Sequence, residues 1–359
     1  MLRGGKQNFL PYGAGKGNLI VESAGTLDIY DRASVSVNGL SGSGTVDKTD
    51  PGGALNAVLT VGYNDASAEF SGAIKNTGVP GSGKYSGLSL VKTGTGTQIF
   101  SGVNTYTNTT TVNDGTLLIN SPGSLAAESV VTVNAGATLG GSGTINGPVT
   151  VNAGGSIAAG ASAGTLTLGN GLDLSAGGTN IWELAALKDD TDGTPGTDFD
   201  QIVLTGGTLN LGGSSTLQLR FIGAASAPDA SNPFWQSTRN WTIISGGGAA
   251  SEFAAIANGV YAAGAFTTSV QGGGIVLTFT PSLNPITPVT SFSIATGLGG
   301  DLTLSYAGGS GSHFVLLQTN NVAAPLSDWT RVKTNTSSPG TFAITPGSDP
   351  QQFYRIKSE

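Results

Sequence analysis

The chain has 359 residues, of which 58 are glycine and none is cysteine, and only 10% are charged. The glycines have no three-residue period, which excludes a collagen, and an apolar fraction of 38% excludes a disordered chain. The lack of cysteine excludes disulfides, thiol catalysis and cysteine-ligated metals. A net charge of −7 without a basic run argues against nucleic-acid binding. No apolar stretch approaches the roughly 18 residues of a membrane helix, so we expect no membrane insertion.

The N-terminal segment, residues 1–18, has no apolar stretch of the kind found in a signal peptide. We expect it to be extended, and we expect export to depend on a signal that is not present in this chain. A short uncharged stretch ending at Pro11 suits strand donation to another copy of the chain. The predicted assembly residues are Gln7, Asn8, Phe9 and Leu10.

Short β-forming stretches recur between residues 19 and 225, each followed by a glycine-containing turn and then an apolar residue. The motif VTVNAG occurs at 131–136 and again at 149–154. A period of about 18 to 20 residues without helical periodicity predicts an all-β protein whose residues 19–225 form a β-solenoid. We expect this solenoid to be a right-handed parallel β-solenoid. An ordinary β-sandwich or barrel is the alternative. The residues predicted to lie inside the solenoid are Val112, Leu117, Val131, Val133, Leu139, Val149, Val151 and Ile157.

The stretch 89–120 carries a more specific pattern: a Lys-x-Gly-x-Gly entry, a Ser-Gly turn, Asn-Thr-Tyr, a threonine-rich strand and a Gly-Thr-Leu exit. In this pattern it resembles the autotransporter-associated β-strand repeat. The matching residues are Lys92, Gly94, Gly96, Ser101, Gly102, Asn104, Thr105, Tyr106, Thr110, Thr111, Val112, Gly115, Thr116 and Leu117. The resemblance implies a secreted β-solenoid of a surface or fibrous protein, and it brings no catalytic residues.

The segment 189–200, DDTDGTPGTDFD, concentrates five carboxylates among glycine and threonine. Such a set can surround a hard cation, so calcium is one interpretation. The spacing of an EF-hand is absent, and no glutamate closes the loop. A solvated insertion without metal is therefore favoured, and no cofactor is expected. The candidate calcium ligands are Asp189, Asp190, Asp192, Asp198 and Asp200.

The sequence offers little for catalysis. His313 is the only histidine and stands at the start of the apolar stretch HFVLLQT, which favours a strand edge over a catalytic base. The acids of the predicted coils, such as Asp28 and Asp114, form no cluster for glycoside cleavage. We therefore expect that the protein is not an enzyme.

The C-terminal third changes in character. Residues 226–280 contain Trp235 and Trp241 and are predicted to cap the solenoid with β-structure. A proline-rich linker follows at 281–288. Residues 289–359 show short strands spaced as in a small β-sandwich, and they resemble the immunoglobulin-like domains that accompany such repeats.

These features favour an extracellular or cell-surface structural protein whose partners are other copies of itself. A solenoid ends in unpaired strand edges, which can pair with another chain and give a head-to-tail filament by β-strand addition. The alternative is a monomeric cell-surface adhesin or glycan-binding stalk that contacts polysaccharide. Its candidate contact residues are Trp235, Trp241 and Trp329.

Overall fold

A computed structural model describes residues 2–3, 10–30, 34–49, 56–78, 87–282, 288–297, 300–311, 313–347 and 351–359. The chain forms two compact units. The first comprises residues 1–227, 239–260 and 266–279, and the second comprises 228–238, 261–265 and 280–359. Residues 283–287 of the predicted linker lie outside the described part of the chain.

The first unit is a stack of coils, each built from short strands. Strand β1 is Leu2–Arg3. The early coils contain β2 (Leu19–Val21), β3 (Thr26–Asp28), β4 (Ser34–Ser36), β5 (Leu40–Gly42), β6 (Thr45–Asp47), β7 (Ala57–Val61), β8 (Ala68–Phe70), β9 (Ala73–Lys75), β10 (Leu88–Lys92), β11 (Thr97–Phe100) and β12 (Thr110–Val112).

The later coils continue the same order. They contain β13 (Gly115–Ile119), β14 (Ser124–Leu125), β15 (Val131–Val133), β16 (Ala137–Gly141), β17 (Thr144–Ile145), β18 (Val149–Val151), β19 (Ser156–Ala159), β20 (Thr165–Leu168), β21 (Leu172–Asp173), β22 (Thr179–Leu184), β23 (Gln201–Leu204), β24 (Leu209–Asn210), β25 (Thr216–Phe221), β26 (Arg239–Ser245) and β27 (Ala255–Ala257). Short 3₁₀ helices lie at Tyr63–Asp65 and Pro233–Gln236.

Strands of successive coils pair in parallel and form the faces of the solenoid. One face is a sheet of ten described strands in the order β2-β5-β8-β11-β13-β16-β19-β22-β25-β27. A second face has eight, β24-β21-β18-β15-β12-β10-β7-β4. A third contains the order β1-β3-β6-β9 and, further along, β14-β17-β20-β23-β26. This arrangement confirms the predicted parallel β-solenoid; its right-handed sense stays a prediction.

The interior of the solenoid follows the predicted alternation. All eight residues predicted to lie inside are buried, and Val131 pairs with Val149 in the register that the repeated motif requires. Outside, Asn152 donates to the side-chain oxygen of Asn134 (2.8 Å), and Asn134 donates to that of Asn113 (2.7 Å). The apolar stack and the asparagine ladder therefore run in parallel, one on each side of the sheet.

Coil length varies although the pairing does not. Asn134 and Asn152 lie on adjacent coils and are 18 residues apart. Leu168 and Thr205 also lie on adjacent coils but are 37 residues apart. The longer coil contains the acidic insertion between β22 and β23. Strand β22 has six residues and β23 has four, and both still pair in register with the strands of neighbouring coils.

Antiparallel strands close the third face at its C-terminal end. Strand β26 pairs antiparallel with β30 (Gly274–Pro281), beyond which lie β29 (Gly264–Gln271) and β28 (Val260–Tyr261). Behind them Trp241 packs edge-on against Trp182 with ring centroids 5.4 Å apart, and it also contacts Phe266. Aromatic packing thus finishes the core where the parallel stacking ends.

The second unit contains two three-stranded antiparallel sheets. Their strands are β31 (Val289–Thr296), β32 (Leu302–Gly308), β33 (Phe314–Thr319), β34 (Thr330–Asn335), β35 (Gly340–Ile344) and β36 (Phe353–Ser358), with a 3₁₀ helix at Leu326–Asp328. The sheets have the orders β31-β32-β35 and β34-β33-β36. Between them lies a core that includes Tyr306, Phe314 and Phe342. This confirms the predicted small β-sandwich.

No helix in the described part of the chain combines the length and hydrophobicity needed to span a bilayer.

Candidate functional site

The segment 89–120 is threaded with buried polar side chains, and Lys92 is the first of them. It ends β10 with its side chain inside the solenoid, where the ammonium donates to the carbonyls of Thr93 (2.8 Å), Gly94 (2.7 Å) and Asp114 (3.1 Å). Burial lowers the pKa of Lys92, and the charges of Asp114 and Asp65 act in the opposite direction. The three carbonyls replace the water that this ammonium loses, and they tie its turn to the next coil.

The glycines of the entry and turn motifs allow the coils to approach each other. Gly94 has a φ of +67°, and a Cβ there would lie 2.1 Å from the carbonyl oxygen of Gly62. At Gly102 a Cβ would lie 1.9 Å from the carbonyl oxygen of Gly72. Both positions require glycine because a backbone carbonyl of the preceding coil occupies the space of a side chain.

Gln98 on β11 spans three coils. Its amide oxygen accepts from the backbone N–H of Leu40 (3.0 Å), and its amide nitrogen donates to the carbonyls of Leu40 (2.9 Å) and Ala68 (3.2 Å). The strand between Gln98 and Leu40 carries the small Ala68 at the paired position, which leaves room for the side chain. Gln98 is absent from the sequence pattern, although its place in the alternating strand TQIF points it inward.

Asn104, six residues after Gln98, also bonds to the backbone of three coils. Its side-chain oxygen accepts from the N–H of Ile74 (3.0 Å), and its amide nitrogen donates to the carbonyls of Gly102 (2.9 Å) and Ser124 (3.1 Å). These partners lie on the coil before, the same coil and the coil after. Asn104 therefore stabilises a corner of the third face where the described strands are interrupted.

The tyrosine of the motif starts a buried chain of hydroxyl groups. The Tyr106 hydroxyl lies 2.6 Å from Thr110 Oγ1, which lies 2.8 Å from Ser129 Oγ. Burial raises the pKa of Tyr106 to about 12, against the opposing hydrogen bonds of Thr110 and Ser129. The phenol thus stays neutral and serves as a hydrogen-bonding wedge between coils.

Comparison with known families agrees with this geometry. Residues 90–119 match the family described as the passenger-associated-transport-repeat. We call this segment the transport repeat. With the stacked parallel sheets around it, the repeat fits the passenger β-solenoid of an autotransporter, and it indicates an exported protein of the cell surface or exterior. A search of curated proteins found no match for this sequence.

Similar side-chain hydrogen bonds connect the coils that precede the transport repeat. Asp28 accepts a hydrogen bond from the hydroxyl of Thr49 in the following coil (2.7 Å). Asp47 likewise accepts from the hydroxyl of Thr77 in the coil that follows its own (2.6 Å). Lys75 lies 3.7 Å from Asp47. These side chains, like those of the transport repeat, connect one coil to the next.

The five aspartates of the insertion do not gather around one point. Asp189 accepts from Thr191 and lies 3.5 Å from Arg239, Asp190 accepts from the N–H and hydroxyl of Thr242 (both 2.8 Å), and Asp192 accepts from the N–H of Asp189 (3.1 Å). Within the described ranges no group of three or more acidic or histidine side chains is arranged to hold a metal. Asp189 and Asp190 instead fasten the insertion to strand β26.

The five aspartates also differ in their exposure to solvent. Asp190 and Asp192 are exposed, whereas Asp189, Asp198 and Asp200 are buried. The insertion is thus solvated only in part. Burial acts to raise the pKa of Asp189, but hydrogen bonds from Thr191 and the charge of Arg239 outweigh it, so this pKa lies below its ordinary value.

Asp200 is the most enclosed acid of the insertion. Its two carboxyl oxygens accept from the backbone N–H groups of Gly164 (2.8 Å) and Glu183 (3.0 Å), and its carbonyl accepts from the indole of Trp182 (2.9 Å). Burial raises its pKa to about 8, and the charge of Glu183 acts in the same direction against the two N–H groups. Asp200 therefore links β22 to the residues that directly precede β20 and β23, and its burial favours the neutral acid.

The remaining candidate residues lie apart from one another. Trp235 and Trp241 are buried, and the indole of Trp241 donates to the carbonyl of Lys188 (2.7 Å), so neither offers a face to a glycan. Trp329 is half-buried in the second unit. His313 is exposed at the start of β33, where its backbone pairs with that of Glu359.

Among the described residues, the ten-stranded sheet ends in two short edge strands, β2 and β27. In β2 the N–H of Leu19 donates to the carbonyl of Gly39 just before β5, and the carbonyl of Val21 accepts from the N–H of Gly44 just after it. Because alternate residues of a parallel strand face the same neighbour, the N–H and C=O of Ile20 point away from the sheet. Its side chain is 61% exposed.

At the other end, Ala255 bonds to Ser215, so the same alternation turns the N–H and C=O of Ile256 outward from β27. The sequence does not distinguish either isoleucine, because an edge position has no signature that differs from that of an interior strand. Of the predicted donor residues, Gln7, Asn8 and Phe9 lie outside the described part of the chain, and Leu10 is half-buried. Their role stays a prediction.

Proposed function

We propose that the chain is an extracellular structural protein that self-assembles head to tail into a filament by β-strand addition, without catalytic activity or a bound cofactor. The observation that carries this proposal is the pair of edge strands on one sheet. Strand β2 begins the ten-stranded sheet and β27 ends it, each three residues long. Placing β27 of one copy beside β2 of the next would continue the same parallel ladder.

The joint is heterologous, since β2 and β27 are different surfaces of the same chain. A heterologous contact that does not close into a ring gives an open filament. The edges lack two of the usual protections against such pairing, because β2 (LIV) and β27 (AIA) contain no charge and no proline. Both strands contribute main-chain groups, so the joint depends little on sequence elsewhere.

The test uses proline at an outward-facing edge position. Ile20→Pro removes the N–H that points away from the sheet and leaves the bonds from Leu19 and Val21 to the next coil. Ile20→Val keeps that N–H and serves as the matched control. We expect filaments of the wild type and of Ile20→Val by electron microscopy, and monomers of Ile20→Pro by sedimentation, with equal β content by circular dichroism.

Two further measurements test the joint: the effect of salt on the filaments, and a proline substitution in the opposite edge strand, β27. Main-chain pairing should persist at an ionic strength where the Debye length falls to about 3 Å. Ile256→Pro should block the opposite edge, and a mixture with Ile20→Pro should give dimers through the two intact edges. Wild-type protein that stays monomeric at every concentration contradicts the proposal and favours the adhesin alternative; polymers of Ile20→Pro contradict the assigned joint.

A further inference from the structure

The outer face of the sheet β34-β33-β36 in the second unit carries a row of side chains across all three strands. Leu317 on β33 is paired with Arg331 on one side and Arg355 on the other. Directly paired residues project from the same face, so an apolar side chain lies between two guanidinium groups. The core residues Phe314 and Leu316 occupy other positions of the same strand.

This row lines a cavity of about 610 Å³, the Trp329 cavity. Its apolar wall is made by Leu317, Leu326 and Trp329, and the Trp329 indole is fixed by donation to the carbonyl of Ala324 (3.0 Å). Ser231, Ser327 and Gln236 add neutral polar groups. The size falls within the range of small-ligand sites, and an aromatic wall with a few polar groups is their usual composition.

The charge of the cavity is opposite to that of the chain. Three lining cations face one lining carboxylate, whereas the whole chain carries −7. Glu359 lies 2.9 Å from Arg331 and 3.3 Å from Lys357, and the charge of Lys357 also acts on Asp229. Among the described ion pairs none involves Arg355, which is exposed and borders the cavity. Arg355 is thus the cation available to a ligand.

We propose that the Trp329 cavity binds an acidic saccharide, one whose sugar ring carries a carboxylate. The apolar face of the ring lies on the Trp329 indole, the carboxylate pairs with Arg355, and ring hydroxyls bond to the serine and glutamine side chains. A guanidinium suits a carboxylate because its donors match the two oxygens. This site is independent of the edge strands of the solenoid.

The test measures binding of trigalacturonate by titration calorimetry, with the neutral galactose trisaccharide as the comparison ligand. Wild-type protein should bind the acidic trisaccharide and not the neutral one, and binding should weaken with added salt. Trp329→Ala and Arg355→Gln should each weaken binding at least about tenfold. Arg220→Gln removes a half-exposed arginine of the solenoid and should leave binding unchanged.

Each alternative result overturns the proposal. Equal binding of the neutral trisaccharide removes the role of Arg355, and equal weakening by Arg220→Gln indicates non-specific charge attraction. Absence of binding by the wild type removes the site itself. Because Trp329→Ala could unfold the sandwich, Trp329→Phe and the exposed Arg355→Gln keep the test decisive, with folding checked by circular dichroism. Running all titrations on Ile20→Pro protein separates binding from assembly.

Discussion

Two stretches of the solenoid stack through the same parallel ladders but are held together by different side chains. In the transport repeat, Lys92, Gln98 and Asn104 lie inside and bond to backbone groups of neighbouring coils. In the coils at 131–159 the interior is apolar, and the polar contacts between coils lie outside, as in the ladder of Asn134 and Asn152. The same backbone architecture therefore accepts either a polar or an apolar interior.

The two kinds of interior differ in how strictly they specify the contacts between coils. Apolar stacking of valine on valine is non-directional and specifies only which residues face inward, whereas a buried amide must also find its donors and acceptors. Buried polar side chains that reach two or three coils thus fix which coil lies next to which. The transport repeat supplies that information in a solenoid whose coil length varies.

The largest expected effect comes from a charge placed in the apolar stack. Val133→Asp buries an unpaired carboxylate among Val112 and Val151 and should lower the free energy of unfolding by more than about 4 kcal/mol. Thr132→Asp is the matched control, because its side chain points outward and should change stability by less than about 1 kcal/mol. Thermal unfolding of both variants by circular dichroism measures the contrast, and equal melting temperatures would mean that the register is wrong.

The second-largest effect on stability is expected at Asp200, a buried acid whose contribution depends on its protonation. The folded-state pKa of Asp200, about 8, lies above its unfolded value, so the fold favours the neutral acid. Its contribution is complete below the unfolded pKa and is lost as pH rises toward 8. Relative to Asp200→Asn, which does not ionise, the wild type should lose a few kcal/mol between pH 4 and pH 8. Urea titrations across this range measure the gap, and a constant gap would show that Asp200 is ionised throughout.

Removal of the neutral Asn104 side chain, which bonds to neighbouring coils, should lower stability by a smaller amount. Asn104→Ala leaves the N–H of Ile74 and the carbonyl of Ser124 without their side-chain partner in a buried corner, at a cost of about 2 kcal/mol. Hydrogen exchange should speed up at residues 74 and 104 together, because one side chain holds both coils. Exchange that changes on one coil alone would limit Asn104 to a local role.

The smallest effect belongs to the outer ladder. Asn134→Ala removes the amide contacts to Asn113 and Asn152, but water can replace them at this half-exposed position. We expect a loss of no more than about 0.5 kcal/mol by chemical denaturation. A loss as large as that of Asn104→Ala would place the main source of coil cohesion outside.

Much of the fold follows from local sequence. The two VTVNAG motifs predict the register of Val131 on Val149, because inward and outward residues alternate within each copy. The transport repeat is recognised from residues that are close together in the chain and that each have a structural task, such as Gly94 and Asn104. Short periods and short-range motifs are therefore reliable guides to this solenoid.

The rest depends on partners far away in the chain. Asp190 bonds to Thr242, 52 residues on, and Asp200 bonds to Gly164, 36 residues back. Nothing within the acidic segment indicates these contacts, so its composition suggested a solvated loop. The Trp329 cavity likewise arises from pairing across three strands, which places Arg355 and Arg331 on either side of Leu317.

The acidic insertion also bears on how such a solenoid accommodates foreign sequence. Strand β22 ends at Leu184 and β23 begins at Gln201, yet both strands keep their register with the coils on either side. Stacking constrains only the strands, so a corner between them is a graft point where a peptide epitope or a whole small domain can be displayed. Repetition of coils would then set the spacing between displayed groups, with each corner as an independent attachment position.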